Sequence, residues 1–249
     1  MKQKGISQEG IKMIATITML IDHVSAVLVY EWYMTQSLSA GYHMKGLWDL
    51  YMFLRIIGRI AFPIYCFLLV EGVHYTKNPK KYGIRLAIGA LLSEIPFDLA
   101  FSGGWDLSYN SVMITLLLGF FMLEAMKRVD LIWKCVLVVP FGLLAEFLKT
   151  DYAGNGILII AFLAITRGIP HEKIFRFIGM ILLLNFGGAI NIGFIRIPIE
   201  LFGLIGIALI FLYDGKKRSY SKVFQWAFYL FYPVHLLILW LTKILIFGA

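Results

Sequence analysis

The chain has 249 residues, 60% of them hydrophobic, a formal net charge of +8 and a mean hydropathy of +0.79. Soluble domains are about 45–50% apolar, so this composition excludes an ordinary soluble globular protein. The positive charge sits in short loops between apolar runs, where membrane topology accounts for it and nucleic-acid binding is not expected.

A spanning helix needs about 20 apolar residues. Nine apolar segments follow one another near 11–31, 50–72, 82–101, 109–126, 131–148, 152–167, 174–190, 196–213 and 224–247. They predict an all-α fold: a polytopic membrane bundle of about nine transmembrane helices, forming a single domain over 1–249. The first run carries no small-residue cleavage site and is expected to stay in the protein. Cys66 and Cys135 lie in apolar segments without metal or disulfide spacing and read as core residues.

The loops fix an orientation. Lys2, Lys4, Lys12, Lys77, Lys80, Lys81, Arg85, Lys127, Arg128, Lys134, Arg167, Lys173, Arg176, Lys216, Lys217, Arg218 and Lys222 fall on one side, 17 of the 23 Lys and Arg residues. The other side receives Lys45, Lys149, Arg196 and Lys243. This bias predicts N-in, C-out topology for a multi-pass membrane protein.

Ionisable groups at membrane depth are costly and mark function. In chain order the polar groups at this depth are Asp22 and His23 in the first span, Arg55 and Arg59 in the second, Glu94 and Asp98 in the third, then Asn110, Thr115, Glu146, Asp151 and Asn155. The predicted topology puts all of them in the outer half of the bilayer, where they should face inward and meet. Arg55/Arg59 and Glu94/Asp98 are i, i+4 pairs that each share a helix face, and Pro96 should kink the third span. Such a cluster either fixes helix packing by ion pairs or forms a site.

His23 is the natural general base, since imidazole changes charge near neutral pH. His235, after Tyr232-Pro233, is a secondary candidate, and His43 and His171 read as solvated loop residues.

Several blocks resemble the TraX family, the F-pilin N-acetylation proteins. They are Gly10-Ile11-Lys12 through Asp22-His23, Arg55-Ile56-Ile57-Gly58-Arg59 through Ile64, Glu71-Gly72, Ser93-Glu94-Ile95-Pro96-Phe97-Asp98, and Phe228 through His235. That family looks like a branch of the transmembrane acyltransferases. Lys12 and His23, separated by ten residues, are similar to the Arg/Lys-x10-His signature of acyltransferase-3 proteins.

The resemblance implies an acyltransferase with acetyl-CoA as donor and no metal. The acceptor would be an amine or hydroxyl on a small membrane-inserted pilin or an envelope glycan. His23, Asp22, Arg55, Arg59, Glu94 and Asp98 would form the reaction centre: His23 as general base or as carrier of the acyl group, Asp22 or Glu94 orienting its ring, and Arg55 or Arg59 stabilising the oxyanion. Lys12, His74, Lys77, Lys81 and Arg85 would hold the coenzyme phosphates, with membrane lipids around the bundle. The alternative is a multi-pass transporter that uses the buried Asp/Glu/Arg cluster as a substrate or proton path.

Overall fold

The computed structural model describes residues 5–106, 108–192, 194–215 and 222–248, without the side chains of Ile192 and residues 222–225. Of the basic residues used for orientation, Lys2, Lys4, Lys216, Lys217, Arg218 and the Lys222 side chain lie outside the described residues.

Eleven helices are described: α1 Gln8–Val24, α2 Tyr30–Ala40, α3 Lys45–Gly58, α4 Ala61–Tyr75, α5 Pro79–Ser102, α6 Val112–Met126, α7 Leu131–Phe147, α8 Ala153–Ile165, α9 Glu172–Leu183, α10 Leu204–Phe211 and α11 Lys222–Phe247. Ser7 caps α1, its hydroxyl accepting from the Gly10 N–H, and Asn78 with Pro79 starts α5 in the same manner. A π-helical stretch, Ser25–Val29, joins α1 to α2, so Gln8–Ala40 is one rod of 33 residues. At about 1.5 Å per residue that rod exceeds the roughly 30 Å hydrocarbon core, and α2, none of whose residues is buried, projects beyond the bundle.

Among the described residues, three helical spans are long and apolar enough to cross a membrane by length and composition: Gln8–Ala40, Lys45–Tyr75 (α3 and α4 together) and Trp226–Phe247. The outer surface supports the same conclusion. On α5, Ile84, Ile88, Leu91 and Ile95 are exposed while Leu86, Ala90, Ser93 and Phe97 are buried. An apolar stripe on the outward face of a helix suits lipid and not water, and the chain is a membrane protein. α7 is peripheral, with Ala145 its buried residue. Cys135 is exposed on it, whereas Cys66 is buried as expected.

Two predicted spans have a different form. The 174–190 segment is helical only to Leu183, and 196–213 opens as a strand. Between them, Ala189–Ile192 (β1) and Ile195–Pro198 (β2) pair antiparallel, with Ile190 opposite Ile197 and Asn191 opposite Arg196. Gly187, at φ +79°, turns the chain just before β1. The alternating β-branched residues Ile190, Ile192, Ile195 and Ile197 favour strands over helix. A 3-10 turn, Ile199–Gly203, then leads into the eight-residue α10.

The basic loops gather at one end of the bundle. There Lys127 Nζ donates to the Val73 carbonyl (2.8 Å), Arg167 Nε to Glu71 (2.8 Å) and Lys173 Nζ to the Phe211 carbonyl (3.1 Å). The Ile6 N–H donates to the Leu212 carbonyl at the same end (2.7 Å). The opposite end, where the α3–α4 junction meets the 3-10 turn and the α7–α8 loop, holds the polar cluster.

Candidate active site

Asp22 is the hub of the cluster. Its Oδ2 accepts from Arg55 Nη1 (2.6 Å) and its Oδ1 from Arg59 Nη2 (2.5 Å). Arg59 also donates through Nη1 to Glu200 Oε1 (2.8 Å) and to the Tyr152 hydroxyl (3.3 Å), and through Nε to the Arg55 carbonyl (3.2 Å). The i, i+4 spacing therefore does place both arginines on one face. Two carboxylates neutralise two guanidiniums, which is how charge persists at membrane depth.

Every guanidinium nitrogen of Arg59 has a partner. Arg55 spends one nitrogen on Asp22, and its other N–H groups make no protein hydrogen bond among the described residues. Arg55 is thus the guanidinium left to face a ligand.

The junction between α3 and α4 makes this contact possible. Gly58 packs directly on Asp22, and a Cβ there would fall on the Asp22 carboxylate. Gly58→Ala is therefore expected to push Asp22 off the arginines. Overpacking of this sort costs about 1–3 kcal/mol, and a lowered thermal midpoint in detergent together with loss of activity is the expected result.

His23 is buried one residue on. Its Nδ1 lies 2.6 Å from Nε2 of His235 on α11, and His235 Nδ1 lies 2.7 Å from the Phe231 carbonyl oxygen. Phe101 and Tyr232 meet the His23 ring edge-on. Neither expected orienting carboxylate touches His23. Asp22 is held by the arginines, and Glu94 accepts from the Ser111 N–H (3.2 Å) and hydroxyl. Asp98 accepts from the Asp106 N–H (3.2 Å). Glu94 and Asp98 thus anchor the loop after α5 and do not neutralise the arginines. Glu146 is exposed and accepts from the Gly154 N–H (3.1 Å), away from the cluster.

Two members of the cluster were not expected from sequence. Glu200 arrives on the 3-10 turn that follows the hairpin. Tyr152 sits at φ +63° with Ala153 at φ +41°, a left-handed pair that non-glycine residues seldom adopt. That turn stacks Tyr152 on Phe62 and brings Asp151 to the Tyr109 hydroxyl (2.8 Å). The π-helical turn after His23 lies beside the site, a common place for such turns; Ser25 there donates to the Tyr51 carbonyl (2.9 Å).

These groups line a cavity of about 470 Å³ that includes Asp22, His23, Arg55, Arg59, Asp151 and Tyr152. A second cavity, of about 270 Å³, lies toward the basic end and includes Gln8, Lys12, Thr76, Arg85 and Tyr229. Tyr65 lines both, and its hydroxyl is hydrogen-bonded to Thr16 (3.1 Å). The same order of depth recurs on each helix. On α1, Lys12 belongs to the second cavity and His23 to the first; on α5, Arg85 and Phe97 do likewise. α4 and α6 run the other way.

In the second cavity Lys12 Nζ lies over the Phe228 ring, and Gln8 Oε1 and Arg85 Nε are buried without a hydrogen bond among the described residues. Of the five residues expected to hold coenzyme phosphates, Lys12 and Arg85 come together here. His74 opens onto a separate recess with Lys127, Lys134 and Arg167, while Lys77 and Lys81 are exposed and line neither cavity.

The family described as TraX protein matches residues 7–243. The chain is similar to the "Probable fimbrial assembly protein FimC, serogroup H1" of Dichelobacter nodosus, 28% identical over 251 residues and covering 94% of each chain. No solved structure matches.

Proposed function

The chain belongs to the TraX family, and from that premise we propose that it is a membrane-embedded acyltransferase. It moves an acetyl group from cytoplasmic acetyl-CoA to an amine or hydroxyl near the outer face of a bacterial inner membrane. The name of the FimC relative, a fimbrial assembly protein, favours a pilin subunit as acceptor over an envelope glycan. In this reading the bundle lies N-in, C-out with its basic loops in the cytoplasm. The shorter helices complete a nine-pass arrangement around the three that are long enough to span alone.

The observation that carries the proposal is the pair of cavities stacked along the bundle and meeting at Tyr65. A donor that enters at the basic end and an acceptor that enters at the other would meet near His23. Lys12 lies eleven residues before His23 on one helix, about 16 Å along its axis.

Lys12 and Arg85 suit an anionic head group, and the buried, unpaired Arg85 Nε and Gln8 Oε1 supply a donor and an acceptor for it. His23 would take the acceptor's proton as it attacks the thioester carbonyl, and Arg55 would hold the oxyanion. Carbon–sulfur cleavage then releases the thiolate, which takes the proton back from His23. The products are the acetylated acceptor and free coenzyme A.

Calorimetric titration of the detergent-purified protein tests the donor site. Saturable acetyl-CoA binding is expected, weakened at least tenfold in Lys12→Ala/Arg85→Ala. The estimate takes about 1.5–3 kcal/mol for each lost charged hydrogen bond. Equal binding by the double variant would refute this placement of the donor.

A further inference from the structure

Phe231, His235 and His23 form a chain of hydrogen bonds whose polarity can be derived. A carbonyl oxygen only accepts, so the Phe231 carbonyl requires a hydrogen on His235 Nδ1 (2.7 Å). Both imidazoles are buried and neither is hydrogen-bonded to a carboxylate among the described residues, which favours neutral rings at this depth. A neutral His235 with its hydrogen on Nδ1 has a lone pair on Nε2. The 2.6 Å bond to His23 must then take its hydrogen from His23 Nδ1. The lone pair of His23 is left on Nε2, a nitrogen without a protein hydrogen bond among the described residues, on a side chain that lines the larger cavity.

The ring geometry agrees. The two ring planes are parallel within 2° and their centroids are 4.9 Å apart. That separation equals the 2.6 Å N···N distance plus the short step from each ring centre to its own nitrogen. The centroid line therefore lies in both planes, and the rings are coplanar and edge to edge. This is the in-plane geometry of a strong lone-pair hydrogen bond and not a face-to-face contact.

We propose that His235 is the positioning residue of the site: it fixes His23 as the Nδ1–H tautomer and aims the Nε2 lone pair at the acceptor. The proposal rests on the acyltransferase reading for what that lone pair does, and on the hydrogen-bond chain alone for which tautomer is present. His235 holds the place that a carboxylate takes in a Ser-His-Asp triad. A neutral imidazole suits this bundle better. Asp22 and Glu200 already balance Arg55 and Arg59, and a further carboxylate against His23 would add an unpaired charge at membrane depth.

The decisive experiment combines nitrogen NMR of 15N-histidine-labelled protein in lipid nanodiscs with transfer of radiolabelled acetyl-CoA in membrane vesicles. Wild type is expected to show His23 as the Nδ1–H tautomer. His235→Phe removes the acceptor. It should leave His23 a mixture of tautomers and lower the maximal rate about 10²–10⁴-fold, with half-saturating acetyl-CoA unchanged. His235→Gln, whose side-chain oxygen accepts the same hydrogen, should recover most of the rate and the single tautomer.

An Nε2–H tautomer in the wild type overturns the proposal, whatever the activity. A His235→Phe protein with the wild-type rate also overturns it. If His235→Phe does not fold, the wild-type spectrum and the Gln variant decide. The Nδ1–H tautomer in a wild type that transfers no acetyl refutes the acyltransferase reading and upholds the orientation of His23 by His235.

Discussion

Replacing His23 with alanine should lower acetyl transfer by about 10²–10⁴-fold while the protein stays folded and still binds acetyl-CoA, because a general base typically contributes that much. The side chain is buried, but its one hydrogen bond is to another imidazole, and its loss breaks no ion pair. The cavity proposed for the coenzyme lies nearer the N-terminal end of α1 and does not include His23. Acetyl-CoA titration and a thermal melt of the same His23→Ala preparation separate lost chemistry from lost structure. Normal transfer by well-folded His23→Ala protein would remove His23 from the reaction.

Arg59→Met should be destabilising where His23→Ala is not. Arg59 is buried and joins two carboxylates, Asp22 and Glu200, that come from helices distant in sequence. Removing the guanidinium leaves Glu200 buried without its cation, and breaking a buried pair from one side costs about 3–5 kcal/mol. The thermal midpoint in detergent should fall sharply. Adding Glu200→Gln should recover part of the loss, since a neutral amide no longer needs a counter-charge. Asp22 keeps Arg55 in either variant (2.6 Å). A single Arg59→Met variant as stable as wild type would mean that the pairs contribute nothing to the fold.

What the sequence reveals about this site follows from what membrane depth forbids. Asp22, His23, Arg55 and Arg59 stand out because charge inside an apolar run needs a reason, and all four line the larger cavity. The spacing of Arg55 and Arg59 also anticipates their shared partner.

The partners themselves are less visible. Glu200 lies in the 196–213 stretch, which reads as the eighth span by hydropathy. The local alternation Ile190, Ile192, Ile195, Ile197 is the signal for the hairpin that delivers Glu200 to Arg59. Tyr152 depends on a left-handed backbone for which its side chain carries no signature. Glu94 and Asp98 share the depth of the arginines but spend their oxygens on a loop, and composition cannot distinguish those uses. His235 is 212 residues from His23, so only the packing of α11 against the bundle pairs them.

The most direct test of the account is transfer itself. Vesicles from cells that produce the protein, given radiolabelled acetyl-CoA at their cytoplasmic face, should pass label to a protein or glycan acceptor with wild type and fail to do so with His23→Ala. Wild-type protein that is folded yet neither binds acetyl-CoA nor moves its acetyl group would contradict the account, and solute flux through such protein in liposomes would assign the buried charges to transport.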